Sequence, residues 1–428
     1  MPRSAFVTLL ILLAAPLPAT AQWPLTSCTP LGKNLFVRDV LMDLYLWYDE
    51  MPAANPAKYQ SPEAYLEALR YRPRDNAFSY VTSRAAADAF FAESRFIGLG
   101  LSTAPGGGGD LRVLEVFPAS PAAEAGLSRG DRIIEVNGAN VSQLTGPGAL
   151  DAAFGPAVEG AAVDVVFEDR EGVRRAARLV KRSVTIPTVS LTRVHEAGGR
   201  RIGYIFFRNF VEPSHAALDA AFAALAAAGV DDLVLDLRYN GGGLVSVAQR
   251  LASLVGGVRT TGQVFARYVH NDRNSYRNEA LRFDARPGAL SLDRLIVITT
   301  RASASASELL INALTPFMPV VIVGGRTYGK PVGQYQVPFC DKLLAPVSFS
   351  MRNADGRGEF FGGFAPTCPA ADDVEHQLGD PAEASLRGAL AFAATGGCGP
   401  VPDGLPGPSA LRAPPALPAG WQSMINAY

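Results

Sequence analysis

Three serines alternate with alanines in RASASASELL (301–310), directly after the apolar run LIVITT (295–300). A serine at the first turn of a helix faces free backbone N–H groups and the positive end of the helix dipole, which can stabilise a nucleophile and an oxyanion. The small alanines leave room for a substrate backbone. The alternative is an ordinary serine-capped helix start, which is common. The pattern therefore predicts a candidate nucleophile here, but it does not by itself select the serine.

A serine nucleophile needs a base, and Lys330 is the candidate. It lies in GGRTYGKPVGQ (324–334), just after a strongly apolar strand. Burial there would lower the lysine pKa and leave a neutral amine able to accept the serine proton. Ser–Lys pairs are an established variant of triad chemistry, whereas a solvated surface charge is the ordinary state of a lone lysine.

A histidine base has no obvious candidate in the sequence. The chain contains His195, His215, His270 and His376. None of them sits in a glycine loop at a strand end, although distance along the chain does not exclude a triad.

Repeated strand–helix units from about residue 200 must position these loops. RIGYIFFRNF (201–210), 232–238, 295–300 and 320–325 are predicted strands, and the alanine-rich stretch 215–229 is a predicted helix. Such repeats favour a mostly parallel sheet covered by helices, with ligands at the carboxyl ends of the strands. The glycine run NGGG, the serine run and the Lys330 loop all lie at that edge.

Two further segments precede this core. Residues 23–95 are predicted to be helical, with helices over 36–52, 61–70 and 84–95. Residues 96–182 carry short strands broken by Gly, Pro, Asn-Gly and Glu-Gly, which indicates a compact β domain. Two short helices are expected within it, near 121–127 and near 146–155.

Both ends of the chain have the composition of segments outside the fold. Arg3, the apolar stretch 5–17 and the small-residue signal Ala19-Thr20-Ala21 predict a signal peptide over 1–21 and an exported product, with no membrane anchor. The region from 399 to 428 is rich in proline and glycine, which is typical of a poorly ordered extension. The formal net charge of −1 argues against a nucleic-acid footprint.

The four cysteines show no CxxC spacing, so a zinc site is not expected. Export permits disulfides, and four cysteines allow three connectivities. We expect a pairing of Cys340 with Cys368, which leaves Cys28 for Cys398.

The β segment resembles a PDZ domain. Gly98-Leu99-Gly100-Leu101 is similar to a carboxylate-binding loop, and SPAAEAGLSRGDRIIEVNG (120–138) resembles the corresponding stretch of bacterial protease PDZ domains. Backbone N–H groups in such a loop can bind the terminal carboxylate of a peptide, which then adds as a strand. A tight turn alone is the other interpretation of an isolated GLGL.

The three loops of the core, DLRYNGGG (236–243), SASASE (303–308) and GGRTYGKPVGQ, resemble the carboxyl-terminal processing, or tail-specific, serine proteases. The resemblance implies a multidomain α+β fold with an N-terminal helical segment, a PDZ-like β domain and a crotonase-like α/β protease core. The implied division of the chain is 1–21 signal peptide, 22–95 helical domain, 96–182 PDZ domain, 183–398 protease core and 399–428 extension.

The resemblance also assigns roles at the site. Ser305 is the implied nucleophile, Lys330 the base 25 positions later, and Gln334 the residue that orients the lysine. The implied oxyanion donors are the backbone N–H of Ala306 and that of either Gly242 or Gly243.

The neighbours of these residues have expected supporting roles. We expect Ser303 to be a helix cap and Ser307 a packing or hydrogen-bonding neighbour, while Asp236 and Arg238 support the glycine loop. The chain departs from the family in having Gly241 where proline is usual and Pro331 where glycine is usual. Neither departure removes a reacting group.

The resulting hypothesis is a periplasmic or secreted serine endopeptidase with no metal or cofactor, acting on proteins or peptides recognised through their C-termini. A homo-oligomer is compatible with the sequence. A non-catalytic peptide- or ligand-binding protein on the same fold is the alternative, and the joint presence of Ser305, Lys330 and Gln334 argues against it. A different hydrolase or a crotonase-type enzyme is a third possibility, disfavoured by the PDZ insertion.

Overall fold

The computed structural model describes residues 23–399, with the exception of Thr26, Gly107 and Pro147. The predicted signal peptide and residues 400–428 of the predicted extension lie outside the described residues. No helix in the described part combines the length and the apolar character needed to cross a bilayer.

The N-terminal segment is mainly helical, and it packs onto the core formed by the later part of the chain. Its elements are α1 (Pro30–Leu44), α2 (Pro62–Leu69), β1 (Tyr80–Ser83) and α3 (Arg84–Glu93). α1 starts and ends earlier than the predicted helix over 36–52. Its start is set by the Thr29 hydroxyl, which accepts a hydrogen bond from the Gly32 N–H before a proline at the first helical position. Its end is set by Tyr45, which leaves in an extended conformation.

The next unit is an antiparallel β domain with two short helices. Its elements are β2 (Arg95–Gly98), β3 (Leu101–Pro105), β4 (Leu111–Val116), α4 (Pro121–Glu124), β5 (Arg132–Val136), β6 (Ala139–Asn140), α5 (Ala149–Phe154), β7 (Ala162–Glu168), β8 (Arg174–Val180) and β9 (Arg182–Thr185). β3, β4, β5, β7 and β8 form one sheet in that order, and β2 pairs with β9. Both predicted helices are present in shorter form.

The core is built on a sheet of six strands. Its elements are β10 (Val189–Ala197), β11 (Arg200–Phe207), α6 (Ser214–Ala228), β12 (Asp232–Asp236), α7 (Val245–Gly256), β13 (Val264–His270), β14 (Ala280–Arg282), β15 (Leu295–Thr299), α8 (Ala306–Leu314), β16 (Val320–Gly324), β17 (Val332–Gln334), β18 (Val337–Phe339), β19 (Lys342–Ala345), β20 (Val347–Arg352), β21 (Cys368–Pro369) and α9 (Ala384–Thr395).

The sheet order is β10-β11-β12-β15-β16-β21, and all pairs except β10 with β11 are parallel. Helices α6, α7 and α8 pack on one face and α9 on the other, so both faces are covered by apolar contacts. The parallel register brings the ends of β12, β15 and β16 to one edge. The glycine run and the serine run leave the sheet there, and the Lys330 loop follows β16.

A second small sheet carries the Gln334 segment, with the order β14-β13-β20-β17. Strand β1 of the N-terminal segment pairs with β19 beside it. The N-terminal segment is therefore hydrogen-bonded to the part of the core that follows Lys330.

The disulfides differ from the expected pairing. Cys28 is bonded to Cys340 and Cys368 to Cys398. The expectation was wrong because the pairing depends on tertiary packing: the first bond spans 312 residues and joins the N-terminal segment to the β18–β19 turn. The second bond attaches the segment after α9 to β21, the edge strand of the main sheet.

Buried charged side chains join the β domain to the core beside the glycine run. Arg129 donates from Nη1 to the Tyr239 hydroxyl at 2.7 Å and from Nη2 to Asp372 at 3.2 Å. Arg208 of the core donates from Nε to Glu115 of the β domain at 2.9 Å. Because Tyr239 directly precedes Asn240 and the glycines, the β domain contacts the chain at the start of that loop.

Candidate active site

Ser305 occupies the turn between β15 and α8 with an unusual backbone conformation. Its φ is 54° and its ψ is −112°, outside the regions that non-glycine residues favour. Such a conformation costs roughly 1–3 kcal/mol and persists only when the surroundings hold it in place. It resembles the sharp strand-to-helix turn that exposes a nucleophilic serine in α/β-hydrolases. Ser305 is thus held at the start of α8 and lines a pocket.

The other two serines of the run attach this turn to the glycine loop. The Ser303 hydroxyl donates to the Leu237 carbonyl at 2.7 Å, and the Ser307 hydroxyl donates to the Asn240 carbonyl at 2.9 Å. Both serines are fully buried. Ser303 is not the helix cap that the sequence suggested, because the residue at the cap position of α8 is Ser305. Ser307 is a hydrogen-bonding neighbour, as expected.

The glycine loop approaches Ser305 so closely that a side chain would not fit at Gly242. A Cβ atom there would lie 2.8 Å from the Ser305 Cβ and 2.8 Å from the Ala306 nitrogen, and the φ of Gly242 is +104°. The Gly242 N–H already donates to the Asn240 side-chain oxygen at 2.9 Å. Gly243, with a φ of +141°, lines the pocket, and no acceptor for its N–H is found among the described residues.

Lys330 lies in the same pocket and is only 6% exposed. Burial lowers its pKa from 10.5 to about 8, against the opposing attraction of the Asp75 and Glu308 carboxylates. Within the described residues, no carboxylate lies within 4.0 Å of its Nζ atom. About a tenth of this amine is therefore neutral at pH 7, far more than for an exposed lysine.

Glu308 connects the turn at Ser305 to the segment that carries Lys330. Its carboxylate is fully buried and accepts four hydrogen bonds: from the Ser305 N–H at 3.0 Å, the Thr327 hydroxyl at 2.6 Å, the Gly329 N–H at 2.6 Å and the Lys330 N–H at 2.8 Å. Burial raises the pKa of Glu308, while these donors act in the opposite direction. A single carboxylate thus fixes the backbone of both Ser305 and Lys330.

Sequence reasoning assigned no role to Glu308, although a readable signal was present. Glu308 stands three residues after Ser305, which is the spacing of a capping box. The hydrogen bonds that Glu308 also accepts from Thr327 and Gly329 depend on the parallel pairing of β15 with β16, so no local sequence pattern predicts them.

Gln334 lines the pocket, and its side chain is held by the N-terminal segment. Its Nε2 donates to the Phe78 carbonyl at 2.6 Å. The Phe78 ring centroid lies 5.9 Å from Lys330 Nζ. No hydrogen bond joins Gln334 to Lys330 among the described residues, so its orienting role stays a prediction.

The pocket combines these polar groups with an apolar wall. Ser305, Ala306, Gly243, Lys330 and Gln334 share it with Tyr80, Phe91, Leu244, Val245, Leu309, Pro331, Val332, Gly333, Gln336, Phe349, Met351 and Phe360. None of the four histidines lines this pocket. The arrangement brings a serine, a buried amine and backbone N–H groups into one cleft that an extended apolar peptide could enter.

Asp236 and Arg238 lie beneath this edge of the sheet and do not line the pocket. Both are fully buried; the Arg238 side chain pairs with Asp236 at 2.8 Å and with Glu383, the N-cap residue of α9, at 2.8 Å. They fix the chain before the glycine loop, in agreement with the expected supporting role.

The loop Gly98–Leu101 has the features of an anion-binding turn in the β domain. Leu99 and Leu101 are buried in its core, and Gly100 has a φ of +84° with Ser120 packed against it. The carbonyls of Leu99 and Gly100 accept hydrogen bonds from the Ala122 and Phe117 N–H groups. Among the described residues, no backbone acceptor is found for the N–H groups of Leu99 and Gly100.

Comparison with known proteins agrees with this geometry. Profiles match residues 201–369 (Peptidase family S41), 33–80 (Peptidase S41 N-terminal domain) and 112–150 (PDZ domain). The C-terminal processing peptidase, chloroplastic, of Tetradesmus obliquus is 31% identical over 57% of this chain and 53% of its own length. The carboxy-terminal-processing protease of Bartonella bacilliformis is 29% identical over 53% of this chain and 50% of its own length. The chain spans about half the length of the curated relatives it matches.

A solved structure extends the likeness to most of the chain. The putative S41 protease from Bacteroides fragilis superposes with a TM-score of 0.67 at 25% identity, covering 84% of this chain and 96% of that chain. The predicted fold class, a helical N-terminal segment followed by a PDZ domain and a protease core, is confirmed. The matched domains, their order and the fold together make this chain similar to peptidase family S41 and to relatives named carboxyl-terminal processing proteases.

Proposed function

We propose that this chain is an exported serine endopeptidase that uses a Ser305–Lys330 dyad and binds the C-terminal end of its protein substrates through the PDZ domain. The observation that carries the proposal is the shared pocket of Ser305, in its strained turn, and Lys330, whose amine is buried. Two disulfides in the described residues favour export to an oxidising compartment.

The proposed reaction is acyl transfer to serine followed by hydrolysis. The neutral amine of Lys330 takes the proton of the Ser305 hydroxyl as its oxygen attacks the peptide carbonyl. The protonated lysine then protonates the leaving amine. Water, deprotonated in turn by Lys330, releases the acyl group from Ser305.

The oxyanion is assigned to two backbone donors. The N–H of Ala306, the first residue of α8, is one, and the N–H of Gly243 is the other. Gly243 is preferred to Gly242 because the Gly242 N–H is already engaged by Asn240. Gln334 is assigned to orient Lys330.

Cleavage of an unfolded protein such as casein tests the dyad. We expect activity in the mature chain and its loss in Ser305→Ala, with circular dichroism showing that the variant is folded. Ser142→Ala, at an exposed serine of the β domain, is the matched control and should be fully active. Equal cleavage by the wild-type chain and Ser305→Ala would leave a binding protein, or a different nucleophile, as the explanation.

The PDZ assignment is tested with the substrate rather than with a variant. A peptide with a free α-carboxylate should bind the Ser305→Ala chain, and the same peptide with an amidated C-terminus should bind at least tenfold more weakly, because a charge-assisted contact is lost. Equal affinities for the two peptides would refute the proposal that the PDZ domain recognises the C-terminus of the substrate.

A further inference from the structure

The N-terminal segment reaches the base of the proposed dyad through one short turn, residues 75–79. The ring of Phe78 lies 5.9 Å from Lys330 Nζ and packs against the ring of Tyr328, with 6.1 Å between centroids. The carbonyl of Phe78 accepts the hydrogen bond from Gln334 Nε2. The same residue therefore touches both the base and the side chain proposed to orient it.

This turn is rigidly held. The buried Asp75 carboxylate accepts hydrogen bonds from the N–H groups of Phe78 at 2.8 Å and Ser79 at 3.0 Å, and from the Tyr45 hydroxyl at 3.0 Å. The Ser79 hydroxyl also accepts from the Val347 N–H of β20 at 2.9 Å. Phe78 is thereby fixed from its own segment and from the core.

The bond to Phe78 determines which end of Gln334 is the acceptor. Only the amide nitrogen can donate to a carbonyl, so Oε1 becomes the acceptor end of a side chain in the pocket of Lys330. An acceptor in that pocket can align an amine that must hold its lone pair toward serine.

The charged groups around Lys330 act on its pKa in the direction opposite to burial. Asp75 from the N-terminal segment and Glu308 from α8 face the amine, and both favour its protonated form. Tyr80 from β1 lines the same pocket, and burial raises the pKa of its hydroxyl, so it stays neutral through the working range. Burial is thus what lowers the lysine pKa, and the Phe78 ring, 5.9 Å from Nζ, is one of the apolar groups that bury the amine.

We propose that Phe78 is a positioning residue for Lys330: its ring excludes water from the amine and its carbonyl orients Gln334, so that the N-terminal segment completes the base of the dyad. The proposal rests on the proposed function for its catalytic meaning. The contact with Lys330 itself can be tested without catalysis.

The direct test measures the titration of Lys330 by competitive labelling. The Ser305→Ala chain is exposed to trace acetic anhydride at pH 6 to 11, and acetylation of each of the five lysines is quantified by mass spectrometry. Lys330 should label with a midpoint of about 8. Adding Phe78→Ala should raise that midpoint by about one unit, which lowers the neutral fraction at pH 7 about tenfold. Phe78→Leu, which keeps an apolar cover, should stay close to the parent.

The matched control is Phe36→Ala. Phe36 belongs to the same apolar cluster and stacks on Phe339 at 4.9 Å, but among the described residues its ring makes no contact with Lys330 like that of Phe78. This variant should lose stability as Phe78→Ala does and leave the Lys330 midpoint unchanged. Equal midpoints in the Phe78→Ala and Phe36→Ala chains would reduce Phe78 to a packing residue and overturn the proposal.

A lower midpoint in Phe78→Ala would also overturn it, because the ring would then act by cation–π attraction rather than by excluding water. If Phe78→Ala does not fold, Phe78→Val, with a side chain smaller than leucine, takes its place. The Lys330 midpoint should then rise in Phe78→Val, and an unchanged midpoint would overturn the proposal.

In the Ser305-containing chain, Phe78→Ala should reduce kcat/KM about tenfold at pH 7 and only about twofold at pH 9, where the amine is mostly neutral in the parent and about half neutral in the variant. A loss of the same size at both pH values, with an unchanged midpoint, would contradict the positioning role. If Ser305→Ala retains full cleavage, the proposed function is wrong. The labelling experiment would still show whether Phe78 shields the amine of Lys330 from water.

Discussion

Replacing Lys330 with methionine should abolish cleavage and at the same time make the protein more stable near neutral pH. Methionine has a similar length and no charge, so it fills the pocket without the cost of burying an ammonium group. Because the pKa of Lys330 is lowered from 10.5 to about 8, the folded state binds the lysine proton more weakly than the unfolded state does.

The magnitude follows from that shift. A lowering from 10.5 to about 8, at about 1.4 kcal/mol per pKa unit, corresponds to about 3 kcal/mol. Between pH 8 and 10.5 the unfolded chain holds a proton that the folded chain has released, so stability rises with pH across this window. The lysine therefore destabilises the wild-type protein by about 3 kcal/mol at pH 7 and by less than about 1 kcal/mol at pH 10. The attraction to Asp75 and Glu308 is already contained in the value of about 8.

Urea unfolding at pH 7 and at pH 10, with the disulfides intact, measures this effect. The free energy of unfolding of Lys330→Met should exceed that of the wild-type chain by about 2–3 kcal/mol at pH 7, and the excess should shrink by about 2 kcal/mol at pH 10. Lys58→Met is the control, since Lys58 is exposed, and its effect should not change with pH in this way. If the excess for Lys330→Met is the same at both pH values, the lysine carries no lowered pKa and the reasoning about the base is wrong.

Two further predictions concern the groups that hold the site. Glu308→Gln should lower kcat at least a hundredfold and cost about 2–4 kcal/mol of stability, because an amide cannot accept all four hydrogen bonds. The control is Glu159→Gln, at an exposed position. Near-normal turnover in Glu308→Gln would contradict the conclusion that Glu308 holds Ser305 and Lys330 in place. Gly242→Ala and Gly138→Ala both place a side chain at positive φ, which alone should cost about 1–2 kcal/mol, and Gly242→Ala should cost more because its Cβ would also clash with Ser305 and Ala306. Gly138 has open space around it, so only Gly242→Ala, which crowds Ser305, should also reduce kcat, and equal kcat values for both would argue against the close approach of the loops.

The sequence was sufficient to bring the reacting loops together. A parallel sheet requires that the segments after β12, β15 and β16 meet at one edge, so NGGG, the serine run and Lys330 were predicted to be neighbours before any distance was known. The spacing of apolar strands carried that prediction. The choice of Ser305 within the run depended on the resemblance to a family, and the structure adds a physical reason: Ser303 and Ser307 are occupied by the carbonyls of the glycine loop.

Long-range contacts could not be predicted from local patterns. Cys28 pairs with Cys340, although their distance along the chain gave no indication of this. Phe78 lies in a short turn between α2 and β1 with no motif around it, and its place beside Lys330 depends on how the whole N-terminal segment packs. Glu308 was visible as a capping residue but not as an acceptor for the Gly329 and Lys330 N–H groups.

The same long-range contacts offset the free-energy cost of the two unfavourable features of the site. A strained Ser305 costs roughly 1–3 kcal/mol and a buried Lys330 about 3 kcal/mol, a sum comparable to the lower end of the stability of a whole domain. Local structure at a loop edge does not by itself stabilise a strained serine and a buried lysine, so contacts from distant elements must hold both in place. Glu308 does so from α8, and the turn at Phe78 does so from the N-terminal segment, which is itself attached by the Cys28–Cys340 bond and by the pairing of β1 with β19. The N-terminal segment is therefore better understood as a part of the proposed catalytic apparatus than as a packing module beside it.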